Sequence, residues 1–275
     1  MTNLVSTAWL SDHLRDDNLV ILDASWHLPA AKRDAKAEFI AAHIPGARFF
    51  DLDKTSDQNT SLPHMLPTAE AFATSMATLG INGTSHVIAY DSVGLFSAAR
   101  CWWMLKTFGH GNVSVLNGGL KKWQEEGRAV QGGKPPQSLA GNFTAKFNSG
   151  MVRNLAEVAE GAAQVADARS PARFRGEEPE PRVGVRPGHM PGAHNVHYAS
   201  LLNVNGTMKP QAELAQIFAN AGIDSEKPTI TSCGSGVTAA ILSLALTDLG
   251  AKDHALYDGS WAEWGASDKP VVTGA

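Results

Sequence analysis

The chain repeats itself. AHIPGA at residues 42–47 returns as GHMPGA at 188–193, VILDAS at 20–25 as QVADARS at 164–170, VIAYDSVG at 87–94 as TITSCGSG at 229–236, and LNGGLKKW at 116–123 as YDGSWAEW at 257–264. His43 aligns with His189 and Leu116 with Tyr257, offsets of 146 and 141 residues, so the register drifts only by small loop changes. One duplicated domain accounts for all four matches. At 275 residues, either half is long enough to bury a core of its own.

Within each half, strand-like runs alternate with helical ones. This predicts an α/β fold of two tandem domains, each a mostly parallel sheet flanked by helices. In the first half the pattern predicts strands at 20–24, 47–51, 86–91 and 113–116, and helices near 38–42, 68–79, 97–108 and 120–126. The second half repeats it with strands near 165–168, 193–196, 228–232 and 255–257 and a helix over 237–249. Thr68, ahead of Glu70, is a helix-start residue. Residues 127–150, rich in Gly, Pro and Ser, read as a linker with one short extended piece at 143–147, which leaves domains at 1–126 and 151–275.

The charge balance excludes whole classes of partner. A net charge of −4 with 18% charged residues offers no basic surplus for nucleic acid or an anionic membrane. The N-terminal residues lack the pattern of a secretory leader, and no 18 apolar residues run together, so a cytoplasmic location is expected. Cys101 and Cys233 are the two cysteines, too few for a disulfide framework or a thiolate metal cage. No cofactor is expected.

Cys233 is the residue that most suggests chemistry. In TITSCGSGVTAAIL it ends a short buried strand, Gly234, Ser235 and Gly236 follow, and a helix begins at Val237. Such a loop can turn several backbone N–H groups and the positive end of a helix toward the sulfur. That environment lowers a thiol pKa from about 8.5 toward or below neutrality. A packing cysteine, the common case, has no need of a Gly-Ser-Gly loop. Thr238, at the helix start, has a hydroxyl that can cap N–H groups and donate to a thiolate.

Ligands of open parallel sheets bind beyond the carboxyl ends of the strands, where Cys233 lies. The aligned position in the first half is Asp91, which is no sulfur nucleophile, so the second half is expected to be the active one. Cys101, in ARCWWMLKTF, reads as core. His43 and His189 recur in both halves and are expected to brace turns; Asp23 and Asp167 recur likewise and are expected to accept backbone amides.

Together LDAS/ADAR, HxPGA, VSVLNGGLKKW and CGSGVT resemble the two-domain rhodanese-type sulfurtransferases. CGSGVT with RFRGEEPEPR (residues 173–182) is similar to their 3-mercaptopyruvate sulfurtransferase branch. The resemblance implies an inactive first domain, an active second one, and Cys233 as a persulfide carrier within a loop whose Gly234, Gly236, Val237 and Thr238 meet the substrate. It also implies that Arg173 and Arg182 hold the substrate's carboxylate and carbonyl oxygen, a task suited to the planar guanidinium fork. Ser235, His64 and Asp53 match a set that manages the proton. The implied substrate is 3-mercaptopyruvate, and the implied acceptors are a thioredoxin-like protein, a small thiol or cyanide.

Four other readings stand beside this one. Charged strings such as residues 169–182 are usually solvated surface, and Arg169 and Arg175 are expected to pair with Glu177, Glu178 or Glu180. Rhodaneses proper use thiosulfate and resemble this chain, but carry two cations where it has neutral Gly234 and Ser235. Both halves could also be inert binding modules, against which the intact Cys233 loop argues. Phosphatases of related fold place an arginine six positions after the cysteine; that position here is Ala239.

Overall fold

The computed structural model describes residues 2–135 and 139–274. Its strands are β1 (Leu4–Val5), β2 (Leu19–Asp23), β3 (Arg48–Phe49), β4 (His86–Tyr90), β5 (Val113–Leu116), β6 (Val152–Arg153), β7 (Gln164–Asp167), β8 (Ala193–Asn195), β9 (Thr229–Ser232) and β10 (His254–Tyr257). They form two five-stranded sheets with the orders β1-β5-β4-β2-β3 and β6-β10-β9-β7-β8. Every pairing is parallel. The two orders are the same permutation of five, so the repeat in the sequence is a repeat of topology.

The central strands are buried runs such as VILD in β2 and TITS in β9, as expected of sheets covered on both faces. The edge strands β1 and β6, two residues each, were not expected from sequence, because so short a run carries no periodic signal. Residues 143–147 form no strand. Instead the Phe143 ring packs against Phe72 and His110, so this part of the linker lies on the first unit.

The chain divides into two compact units that do not coincide with its two halves. The first takes Met1–Asp57, Pro67–Phe147 and Asn203–Met208; the second takes Gln58–Leu66, Asn148–Leu202 and Lys209–Ala275. Each unit therefore carries a short strap from the other repeat. In the first, Met208 N–H donates to Asn117 Oδ1 at 2.8 Å, and a Cβ on Gly94 would stand 2.8 Å from the Gly206 Cα, so that approach requires glycine. In the second, Leu66 N–H donates to Asp258 Oδ2 at 2.7 Å.

Ile21, Ile88, Tyr90, Leu116 and Trp123 lie at the centre of one core, and Ile230, Tyr257, Trp261 and Trp264 in the other. Each such side chain contributes about 1.5–3 kcal/mol on burial. The helix Ala239–Asp248 is buried at every position from 239 to 246, so it runs through the second core and holds the loop before it rigidly.

Candidate active site

Cys233 immediately follows β9 and is 2% exposed. Its carbonyl accepts from Trp261 N–H at 2.9 Å, the Gly234 carbonyl from Ala262 N–H at 3.0 Å, and its own N–H donates to Ser260 Oγ at 3.3 Å. The loop is thereby fastened to the helix Ser260–Trp264. Among the described residues, the N–H groups of Gly234, Ser235, Val237 and Thr238 donate to no oxygen or nitrogen acceptor. Unpaired backbone donors in such a place are rare and are held ready for a ligand. Gly236 adopts φ +77°, which a side chain would strain.

The first unit shows what such a loop does when it carries its own anion. Asp91, aligned with Cys233, accepts from the N–H groups of Val93, Gly94, Phe96 and Ala98 at 3.1, 3.1, 2.6 and 3.0 Å. It is 1% exposed, so its carboxylate fills the cradle. In the second unit the aligned position carries the thiol of Cys233.

Ser235 Oγ and His64 Nδ1 share a hydrogen bond of 3.0 Å. Both residues belong to the second unit, His64 arriving on the strap Gln58–Leu66 with φ +60°. Asp53 belongs to the first unit, where the Trp26 indole donates to its carboxylate at 3.1 Å. Thr238 is the N-cap of the helix Ala239–Asp248, but its hydroxyl does not cap an N–H group as expected, because the residue takes a helical φ/ψ that turns the side chain from the helix axis.

Arg173 Nη2 lies 3.0 Å from where a Cβ on Gly234 would stand, so its guanidinium rests against the loop. Arg182 is half-buried, and its pKa is lowered first by burial and then by the charge of Arg173, while Cys233 and Glu180 oppose the shift. No hydrogen bond or ion pair engages its side chain among the described residues. Arg169 and Arg175 behave as structural partners. Arg169 binds Asp167 at 2.7 Å and Glu180 at 3.0 Å, and Arg175 binds Glu177 at 2.7 Å.

The recurrent residues are braces, as expected. His43 Nδ1 donates to the Phe39 carbonyl at 2.7 Å and His189 Nδ1 to that of Phe174 at 2.8 Å, each ring stacked on the same phenylalanine. Asp23 and Asp167 accept from the N–H groups of Ser25 and Arg169, both at 2.9 Å. Cys101 is fully buried, and burial pushes its thiol pKa up.

Sequence reasoning missed Ser260 and Asp258. Ser260 holds the Cys233 N–H from a left-handed conformation (φ +48°), where its aligned partner is Gly119 at φ +56°. A serine replacing glycine only in the cysteine-bearing half was the available signal. Asp258 anchors the strap that brings His64, which no local pattern announces.

Comparison with known proteins agrees with this geometry. The family model for the rhodanese-like domain matches residues 6–126 and again 153–267. The chain therefore belongs to the rhodanese family, with two such domains in tandem. Among its relatives, the 3-mercaptopyruvate sulfurtransferase of Escherichia coli (strain K12) is 45% identical over 276 residues, covering 98% of each chain. The enzyme of the same name from Homo sapiens is 41% identical, covering 97% of this chain and 93% of the relative. The crystal structure of the 3-mercaptopyruvate sulfotransferase SseA from Escherichia coli has a TM-score of 0.87 at 43% identity, covering 95% of this chain and 99% of that one. The structure of Tum1 from Saccharomyces cerevisiae has a TM-score of 0.91 at 31% identity, covering 99% and 98%.

Proposed function

We propose that this chain is a 3-mercaptopyruvate sulfurtransferase that carries sulfur as a persulfide on Cys233. The observation that carries the reading is the loop after the buried Cys233, four of whose N–H groups are unpaired among the described residues, with Arg173 and Arg182 beside it. The second domain is the catalytic one, and Asp91 makes the first inactive.

The Cys233 thiolate attacks the sulfur of mercaptopyruvate, forming an S–S bond. The S–C bond breaks with its electron pair on carbon, and pyruvate departs as an enolate. The loop N–H groups stabilise the charge on the persulfide, as an oxyanion hole stabilises an alkoxide. Arg182, whose side chain makes no hydrogen bond or ion pair among the described residues, offers its fork to the substrate carboxylate, and Arg173 binds the carbonyl oxygen of the substrate. Ser235 and His64 pass a proton to the enolate carbon, and Asp53 is assigned to the same proton-managing set. Thr238 contributes a hydroxyl free of any cap, and Gly234, Gly236 and Val237 form the wall of the loop. The outer sulfur then passes to a thiol, a thioredoxin-like protein or cyanide, which restores the thiolate.

Thiosulfate is the second candidate donor, since a thiosulfate sulfurtransferase of Gallus gallus is also 40% identical. The neutral Gly234 and Ser235 favour mercaptopyruvate, because thiosulfate concentrates two charges near the transferred sulfur and gains most from cations inside the loop. Steady-state kinetics with both donors against cyanide and a dithiol test the assignment. A higher kcat/KM for thiosulfate would reverse it.

No helix among the described residues is long and apolar enough to cross a membrane. A cytoplasmic site of action is part of the same proposal.

A further inference from the structure

The two arginines beside Cys233 are supported in different ways. Arg182 makes no side-chain hydrogen bond or ion pair among the described residues, whereas Arg173 is clamped by Glu180, with Nη2 2.5 Å from Oε2 and Nε 3.3 Å from Oε1. This occupies one edge of the Arg173 guanidinium. The other edge faces the loop, with Nη2 and Nη1 3.0 and 3.6 Å from where a Cβ on Gly234 would stand. The Glu180 side chain is only 3% exposed, and Arg169 holds it from behind through a 3.0 Å bond. Arg169 in turn stacks on the Trp261 ring at 4.3 Å, and Trp261 N–H binds the Cys233 carbonyl. Contacts thus run in a closed circuit from Cys233 through Trp261, Arg169, Glu180 and Arg173 back to Gly234. Proline on either side of Glu180 restricts the backbone that presents it.

A carboxylate is an unexpected neighbour for a site that binds an anion. By charge alone, Glu180 weakens the field that Arg173 and Arg182 create, and a site tuned only for positive potential would lack it. Its geometry argues the opposite, since a long arginine left free loses its aim and pays rotamer entropy on each encounter. We infer that Glu180 is a positioning residue for substrate, holding Arg173 against the Cys233 loop at the cost of one negative charge. The inference rests on the proposed function for its substrate, and the two opposing effects give its test a sign.

Glu180→Gln removes the charge and loosens the clamp. If position dominates, KM for mercaptopyruvate rises about tenfold, the worth of one charge-assisted hydrogen bond, while kcat stays within about threefold. In an Arg173→Ala background the same change alters kcat/KM less than about twofold, because the clamp has nothing left to hold. The rate ratio of Cys233 alkylation by iodoacetate and by iodoacetamide reads the anion preference without any sulfur donor, and it falls in Glu180→Gln. Should that variant fail to fold, Glu180→Asp keeps the charge, shortens the reach by one methylene, and carries the same expectations. An unchanged or lower KM, an unchanged or higher alkylation ratio, or an equal loss in both backgrounds overturns the inference. Failure of the wild-type protein to use mercaptopyruvate would instead overturn the proposed function, and the alkylation ratio would still decide the role of Glu180.

Discussion

Arg182→Ala separates a residue kept for substrate from one kept for the fold. The Arg182 guanidinium is half-buried without a hydrogen bond or ion pair among the described residues, and burial lowers its pKa. Folding therefore disfavours its charge, and the nearby Cys233 and Glu180 offset only part of the cost. Removing the side chain should leave Tm within about 1 °C of the wild type or raise it. Catalysis should respond in the opposite direction. Loss of charge-assisted bonds to the substrate carboxylate is worth about 1.5–3 kcal/mol, a fall of roughly 10–150-fold in kcat/KM. Arg182→Lys should recover only part of it, because an ammonium cannot make the two parallel bonds of the fork. The assays are mercaptopyruvate kinetics with cyanide as acceptor and a calorimetric melt of the same preparation. A clear drop in Tm with unchanged kcat/KM would show that Arg182 serves the fold, and the substrate assignment would fail.

Other expectations follow from particular contacts. Asp91→Ala strips the acceptor from four backbone N–H groups and should cost about 3–5 kcal/mol in chemical denaturation, while the folded variant still forms the Cys233 persulfide. A loss below about 1 kcal/mol would mean the cradle is not a stabilising feature. Cys101→Ser should keep the chemistry and lower stability, and iodoacetamide should label only Cys233 in the native protein, because Cys101 is fully buried and its thiol pKa is pushed up. Burial holds His86, His110 and His254 below the ordinary imidazole pKa, His86 also through the charges of His110 and His13. The fold thus favours the neutral rings. The stability they provide is full above the unfolded value of about 6.5 and is lost as pH falls through the lower folded values. The urea midpoint should fall between about pH 7 and pH 5, and His110→Asn should flatten that slope; a midpoint independent of pH would contradict the assignment.

How much of this was legible in the sequence depended on whether the information was local. The repeat and the apolar runs identified the parallel sheets, because the buried strands β2, β4 and β9 have unbroken patterns between turn residues. The two-residue edges β1 and β6 have none. Cys233 stood out because Gly234 and Gly236 bracket Ser235 beside it, a composition that packing alone does not select. Invisible were the exchanged straps, since nothing in residues 58–66 or 203–208 states which unit they will join. The role of Glu180 was hidden for a related reason: a Glu-Pro-Glu-Pro string looks solvated until folding buries one carboxylate between two arginines. Ser260 was recoverable only by comparing the two halves at the position of Gly119.

The account turns on sulfur resting on Cys233, and the intact mass of the protein after mercaptopyruvate is added without an acceptor tests that directly. The mass should rise by one sulfur atom as one equivalent of pyruvate appears, a dithiol should return it to the starting value, and Cys233→Ser should show neither the mass gain nor the pyruvate. An unchanged mass with pyruvate released, a sulfur mapped to Cys101, or turnover by a folded Cys233→Ser protein would contradict it.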